Sequence, residues 1–284
     1  MSDALPVELV RTRSADGVLL HGALVGRGAR QGVLAVHGAW GSFYGTPVFD
    51  LLPAAAGRGL VALSLNGRAH DLGSLGDGEP CIGLIRDRFE DAPLDLDAAA
   101  GVLTSAGAER YVVVGHSFGS AKVAYWLAER GPAGAAGLVL VSPAPALATT
   151  TRWFVEGALE HHVARAAAAI AAGEPHRLVV LSSSAPVPMV AEAATVLSLW
   201  GPGSLADPTL HVPRLSIPVL VTVGDREPSA YRERAERVAD AAADAELVVL
   251  PGDHYYDDRE ALVSTVLDWV CRRGLLDLEG SEGR

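Results

Sequence analysis

Residues 32–36, 60–65, 111–114, 137–141, 219–223 and 247–250 are short apolar runs rich in Val and Leu. Between most of them lie segments of helical spacing, at 48–56, 94–105, 120–129, 230–242 and 259–272. A run without polar alternation suits a strand buried on both faces, and strands that alternate with helices are wound into one mostly parallel sheet. The expected class is therefore α/β, with a mostly parallel doubly wound sheet and its ligand site at the carboxyl ends of the strands. Ahead of the alternation, residues 7–12 and 18–25 flank Asp16-Gly17, a hairpin signal, so an N-terminal antiparallel pair is predicted.

Two segments interrupt the pattern. Residues 66–91 form a long connection with glycines at 67, 73, 76, 78 and 83, and loops of that length commonly border a site. Residues 143–213 separate two strands by far more than a crossover helix needs. Within them 153–172 and 187–200 have helical character, and prolines at 175, 186, 188, 202 and 208 punctuate the pieces. A helical cap insertion at 143–213 is expected, on a core domain made of 1–142 and 214–284.

A chain of 284 residues is long enough for one large core, and 49% hydrophobic against 20% charged residues is a globular balance. The formal charge of −11 disfavours nucleic acid and anionic lipid as partners, and no basic patch offsets it. Cys81 and Cys271 lack a CxxC spacing, and neither HExxH nor HxHxDH occurs, so no redox motif and no metal is expected. His161 and His162 have no partner at i+4 for a metal. Without a leader-like N-terminus or a long uncharged apolar stretch, a cytoplasmic protein is expected, with no membrane partner.

The chemistry-bearing pattern is Gly115-x-Ser117-x-Gly119, with an apolar strand before it and a helix after it. Small residues at both ends allow a sharp strand-to-helix turn that lifts the serine hydroxyl above the sheet. Downstream, two further polar groups follow apolar runs: Gly224-Asp225-Arg226-Glu227 and Gly252-Asp253-His254. Serine needs an imidazole to take its proton, and the imidazole needs a carboxylate to fix its tautomer, so Ser117, His254 and one of Glu227 or Asp225 are the candidate catalytic residues.

With the loop His37-Gly38-Ala39-Trp40-Gly41 after the third strand, these strings resemble the α/β-hydrolase family over nearly the whole chain. The order serine, acid, histidine is also the family's. The resemblance implies oxyanion-hole backbone amides at Ala39 and Phe118. It places the acid at the position held by Glu227, where the family usually has aspartate, while Asp225 lies nearer the strand; both stay open at this point.

Trp40, Phe43, Tyr44, Tyr255 and Tyr256 flank the two loops and are candidate walls of a substrate pocket. His37, His116, Asn66, Arg68, His70 and Asp71 are expected to be structural, and Asp253 to be solvated. The expected activity is hydrolysis of a carboxylic ester or thioester of a small to medium apolar substrate through an acyl-serine, with a small-molecule substrate as the only partner and no cofactor. The same triad also serves amide or carbon–carbon cleavage and acyl transfer, and the fold also serves non-catalytic small-molecule receptors. Neither oligomeric state nor natural substrate follows from the sequence.

Overall fold

The computed structural model describes residues 7–73, 81–131, 134–144, 157–183 and 189–278. Among the described residues, eight strands form one sheet: β1 (Glu8–Arg13), β2 (Leu19–Val25), β3 (Gln31–Val36), β4 (Val61–Leu65), β5 (Arg110–His116), β6 (Ala135–Val141), β9 (Val219–Gly224) and β10 (Ala245–Leu250). Their spatial order is β1-β2-β4-β3-β5-β6-β9-β10. β1 and β2 form the expected antiparallel hairpin, and β2 also runs antiparallel to β4. From β4 onward every pairing is parallel.

Alternate residues of each central strand feed two separate cores. Leu34 and Val36 face the helices Ala92–Ser105, Phe118–Arg130 and Ser229–Ala241, while Val33 and Ala35 face Leu51–Ala56 and Arg259–Arg272. Leu34, Ala35, Leu63, Val113 and Leu140 are all fully buried, and full burial of a Leu or Val side chain stabilises by roughly 1.5–3 kcal/mol. This is why the strand runs read as unbroken apolar stretches.

The first helical segment, expected at 48–56, is split: a 3₁₀ turn at Pro47–Asp50 runs into the α-helix Leu51–Ala56. The other core helices lie within two residues of their expected ends.

The segment 143–213 departs from an all-helical insertion. Its helix Leu159–Ala171 falls inside the expected 153–172, whose first residues lie outside the described residues. The expected helix at 187–200 is a helix only over Ala193–Trp200. Met189–Glu192 is instead a strand, β8, paired antiparallel with β7 (Leu178–Ser182) in a small separate sheet, and residues 187 and 188 lie outside the described residues. The run Leu178-Val179-Val180-Leu181 explains the difference: β-branched residues with alternate burial favour a ladder, and Met189 and Ala191 supply the partner's buried face. Both elements pack onto a third apolar cluster with Leu84, Phe89, Phe118 and Ala121, against which Ala39 and Trp40 also lie.

Candidate active site

β5 ends at His116, and the helix Phe118–Arg130 begins two residues later. Ser117 between them has φ 56° and ψ −121°, a conformation that costs a non-glycine residue of order 1–3 kcal/mol and persists only where neighbours enforce it. They do so here by close approach. A Cβ at Gly119 would lie 2.4 Å from the His37 carbonyl oxygen, and one at Gly38 would lie 2.8 Å from Ser117 Cβ. The Ser117 amide donates to the Val141 carbonyl at 2.8 Å, which fixes the turn to β6.

Two loops meet the serine from beyond β9 and β10. His254 Nε2 is 3.0 Å from Ser117 Oγ, and His254 Nδ1 is 2.6 Å from Glu227 Oε1. The Glu227 side chain is fully buried, while that of His254 is 23% exposed, so the pair is open to solvent on one edge only. Asp225 is not brought to the imidazole. Its carboxylate accepts the Gly252 amide at 2.9 Å, and its own amide donates to the Leu250 carbonyl, so it laces the acid-bearing loop to the histidine loop.

Sequence reasoning missed the groups behind Glu227. Its second oxygen accepts the Ser142 hydroxyl at 2.6 Å and the Gly224 amide at 2.8 Å. Ser142 Oγ lies 2.8 Å from the Tyr256 hydroxyl, which lies 3.1 Å from Thr222 Oγ1. Tyr256, expected in the pocket wall, is instead 1% exposed, with its ring in the core and its hydroxyl in this network. The available signal was positional: Ser142 follows directly on an apolar strand, at the end of the sheet where parallel folds keep their sites.

Rings surround the imidazole. Tyr231, from the helix Ser229–Ala241, and His116 both have centroids 4.8 Å from that of His254, and Tyr255 stands edge-on at 5.4 Å. Burial, with Glu227 nearby, raises the Tyr231 phenol above its usual range. His116 Nε2 lies 2.9 Å from the His254 carbonyl oxygen, to which its N–H donates. Burial first, and His254 second, push His116 well below its ordinary range, so it stays neutral.

The loop after β3 lies against the serine on its other side. His37 Nε2 accepts the Gly67 amide at 3.2 Å, which leaves the proton on Nδ1 to donate to the Gly38 carbonyl at 2.7 Å. Burial lowers the His37 pKa to about 4. The side chain thereby ties the chain just before Ala39 to the start of loop 66–91. Phe118 provides the first amide of its helix, where the helix dipole favours developing negative charge.

Of the proposed pocket walls, Trp40 lies against the third apolar cluster with φ 55°, and Tyr255 is 53% exposed beside His254 and His116. Phe43 packs with Phe49 toward the core, and Tyr44 stands outward at 64% exposure. Arg68 is 8% exposed and pairs with Asp16, Asp91 and Asp95; Asn66 accepts the Phe43 amide at 2.6 Å. Asp253 accepts the Tyr255 amide at 2.8 Å, and Cys81 and Cys271 are free thiols. Among the described residues there is no grouping of three or more His, Cys, Asp or Glu suited to a metal ion, and no helix long and apolar enough to cross a membrane.

No curated protein sequence matches the chain. Among solved structures, Est1E from Butyrivibrio proteoclasticus is 16% identical, with a TM-score of 0.68 over 93% of this chain and 98% of its own. An esterase of Pyrococcus furiosus is 18% identical, with a TM-score of 0.61 over 95% and 91% of the two chains. The esterase RhEst1 from a Rhodococcus species is 16% identical, with a TM-score of 0.60 over 93% and 98%. At these identities the likeness is one of fold, but the family model described as "Alpha/beta hydrolase family" matches residues 33–265. The chain belongs to the alpha/beta hydrolase family of enzymes.

Proposed function

We propose that the protein is a serine esterase or thioesterase that works through an acyl-serine, with Ser117 as nucleophile, His254 as general base and Glu227 as the acid. The observation that carries the reading is the hydrogen-bonded line from Ser117 Oγ through the imidazole to Glu227 Oε1, at 3.0 and 2.6 Å. As Ser117 Oγ attacks the acyl carbon, its proton passes to His254 Nε2, and the imidazolium that forms is held by the buried carboxylate. Negative charge moves to the carbonyl oxygen, where the amides of Ala39 and Phe118 receive it. Collapse breaks the bond to the leaving alcohol or thiol, which takes the proton from Nε2. Water then repeats the sequence on the acyl-serine, releasing the acid and returning the proton to Ser117.

Residues 143–213 act in this reading as a cap. Met189, Ala191, Val196 and Leu199 share an apolar cluster with Ala39, Trp40 and Phe118, so the cap and the oxyanion loop form one wall. A small to medium apolar acyl or alcohol group fits such a surface.

The test is intact-mass analysis after incubation with a fluorophosphonate, together with turnover of p-nitrophenyl esters of increasing chain length. One adduct on the native protein, none on Ser117→Ala, and turnover that depends on chain length are expected. A native protein that is neither labelled nor active on any of these esters would overturn the proposal.

A further inference from the structure

Behind the acid lies a second set of side chains that the sequence motifs do not include. Ser142 sits at the end of β6 with φ 45°, and Tyr256 sits two residues beyond His254 with φ 55°. Neither is glycine, and both are buried, at 0% and 1% exposure. Left-handed backbone at two buried, side-chain-bearing positions persists only where surrounding contacts hold it, and here each strained residue places one hydroxyl in a common line. The line runs Thr222 Oγ1, Tyr256 Oη, Ser142 Oγ, Glu227 Oε2, with separations of 3.1, 2.8 and 2.6 Å.

Hydrogen-bond arithmetic fixes the direction of this line. A carboxylate only accepts, so the single proton of Ser142 is committed to Glu227. Ser142 can then only accept from Tyr256, whose own proton is thereby committed, so Tyr256 accepts in turn from Thr222. Every proton points toward the carboxylate. Burial raises the Tyr256 phenol above its usual range, which agrees with a hydroxyl that stays a donor. With Oε2 occupied by Ser142 and by the Gly224 amide, Oε1 alone is left facing His254 Nδ1.

We propose that Ser142 and Tyr256 are positioning residues for the reaction: they hold Glu227 in the one rotation that presents Oε1 to the base. The proposal rests on the triad reading above. A glutamate carries one more rotatable bond than an aspartate, and the two hydroxyls remove that freedom. Because Tyr256 belongs to the histidine loop, the same line also ties the position of the base to that of the acid.

The experiment compares Ser142→Ala, Ser142→Gly, Tyr256→Phe and Glu227→Gln with the native protein, in esterase kinetics and in the rate of fluorophosphonate labelling. Ser142→Ala and Ser142→Gly are expected to lower kcat and the labelling rate by roughly 10- to 100-fold, as misplacements near 1 Å do, with KM within about 3-fold of native. The final adduct should still reach one per chain. Tyr256→Phe, which leaves Ser142 free to donate, should lose less. In a Glu227→Gln background the further loss from Ser142→Ala should shrink below about 3-fold, because residues acting through one group are not additive.

Glycine accommodates the positive φ, so Ser142→Gly keeps the test alive if Ser142→Ala does not fold. Native kcat in folded Ser142→Gly, or an unchanged loss from Ser142→Ala in the Glu227→Gln background, would overturn the proposal. A native protein that takes no label would instead sink the triad reading, which separates the two failures.

Discussion

Lowering the pH should weaken this fold through His37. The imidazole is buried between the Gly38 carbonyl and the Gly67 amide, and its pKa falls to about 4 against an ordinary 6.5. Its folded value is depressed, so between those two pH values the unfolded chain binds the extra proton and the folded chain does not. Stability contributed by the neutral ring is therefore fully present above about 6.5 and declines as pH falls toward about 4. The gap between the two values corresponds to about 3 kcal/mol in total, of which about 2 kcal/mol is already lost at pH 5.

Urea unfolding at pH 8, 6.5 and 5 on the native protein and on His37→Gln measures this directly. Glutamine keeps an acceptor for Gly67 and does not titrate, so its free energy should fall by about 2 kcal/mol less than native between pH 8 and 5. His116, depressed in the same direction, and the paired carboxylates leave a residual slope common to both proteins. Parallel pH dependences for the two proteins would refute the argument.

Other substitutions test other links. Arg68→Met leaves Asp95 buried without its partner, and breaking a buried pair from one side costs about 3–5 kcal/mol; urea melts should show it, while KM of the folded enzyme stays native. Glu227→Gln should lower kcat by up to about 10⁴-fold, as loss of a triad acid does, whereas Asp225→Asn, which can still accept the Gly252 amide, should change kcat by less than about 3-fold. The reverse order in steady-state kinetics would move the acid to Asp225.

The class of fold and the order of its central strands' chemistry could be read from the chain because each central strand is buried on both faces, and two-sided burial leaves an unbroken apolar run. The serine turn was legible for a related reason: Gly119 lies where a Cβ would meet the His37 carbonyl at 2.4 Å, so the backbone itself dictates the residue type. Register pointed to Glu227 over Asp225 but did not fix the choice, because both are flexible carboxylates within three residues, and which one meets the imidazole depends on the Gly252 amide and the Ser142 hydroxyl, far away in sequence. The same limit applies to β7 and β8, whose ladder arises only when residues 178–182 meet 189–192. Ser142 joins these cases. In sequence it is a serine after a strand, and its weight comes from three partners on β9, the acid loop and the histidine loop that only the folded chain brings within reach. What local residue type enforces can be read in advance; what long-range polar convergence enforces cannot, and in this protein the acid side of the site belongs to the second kind.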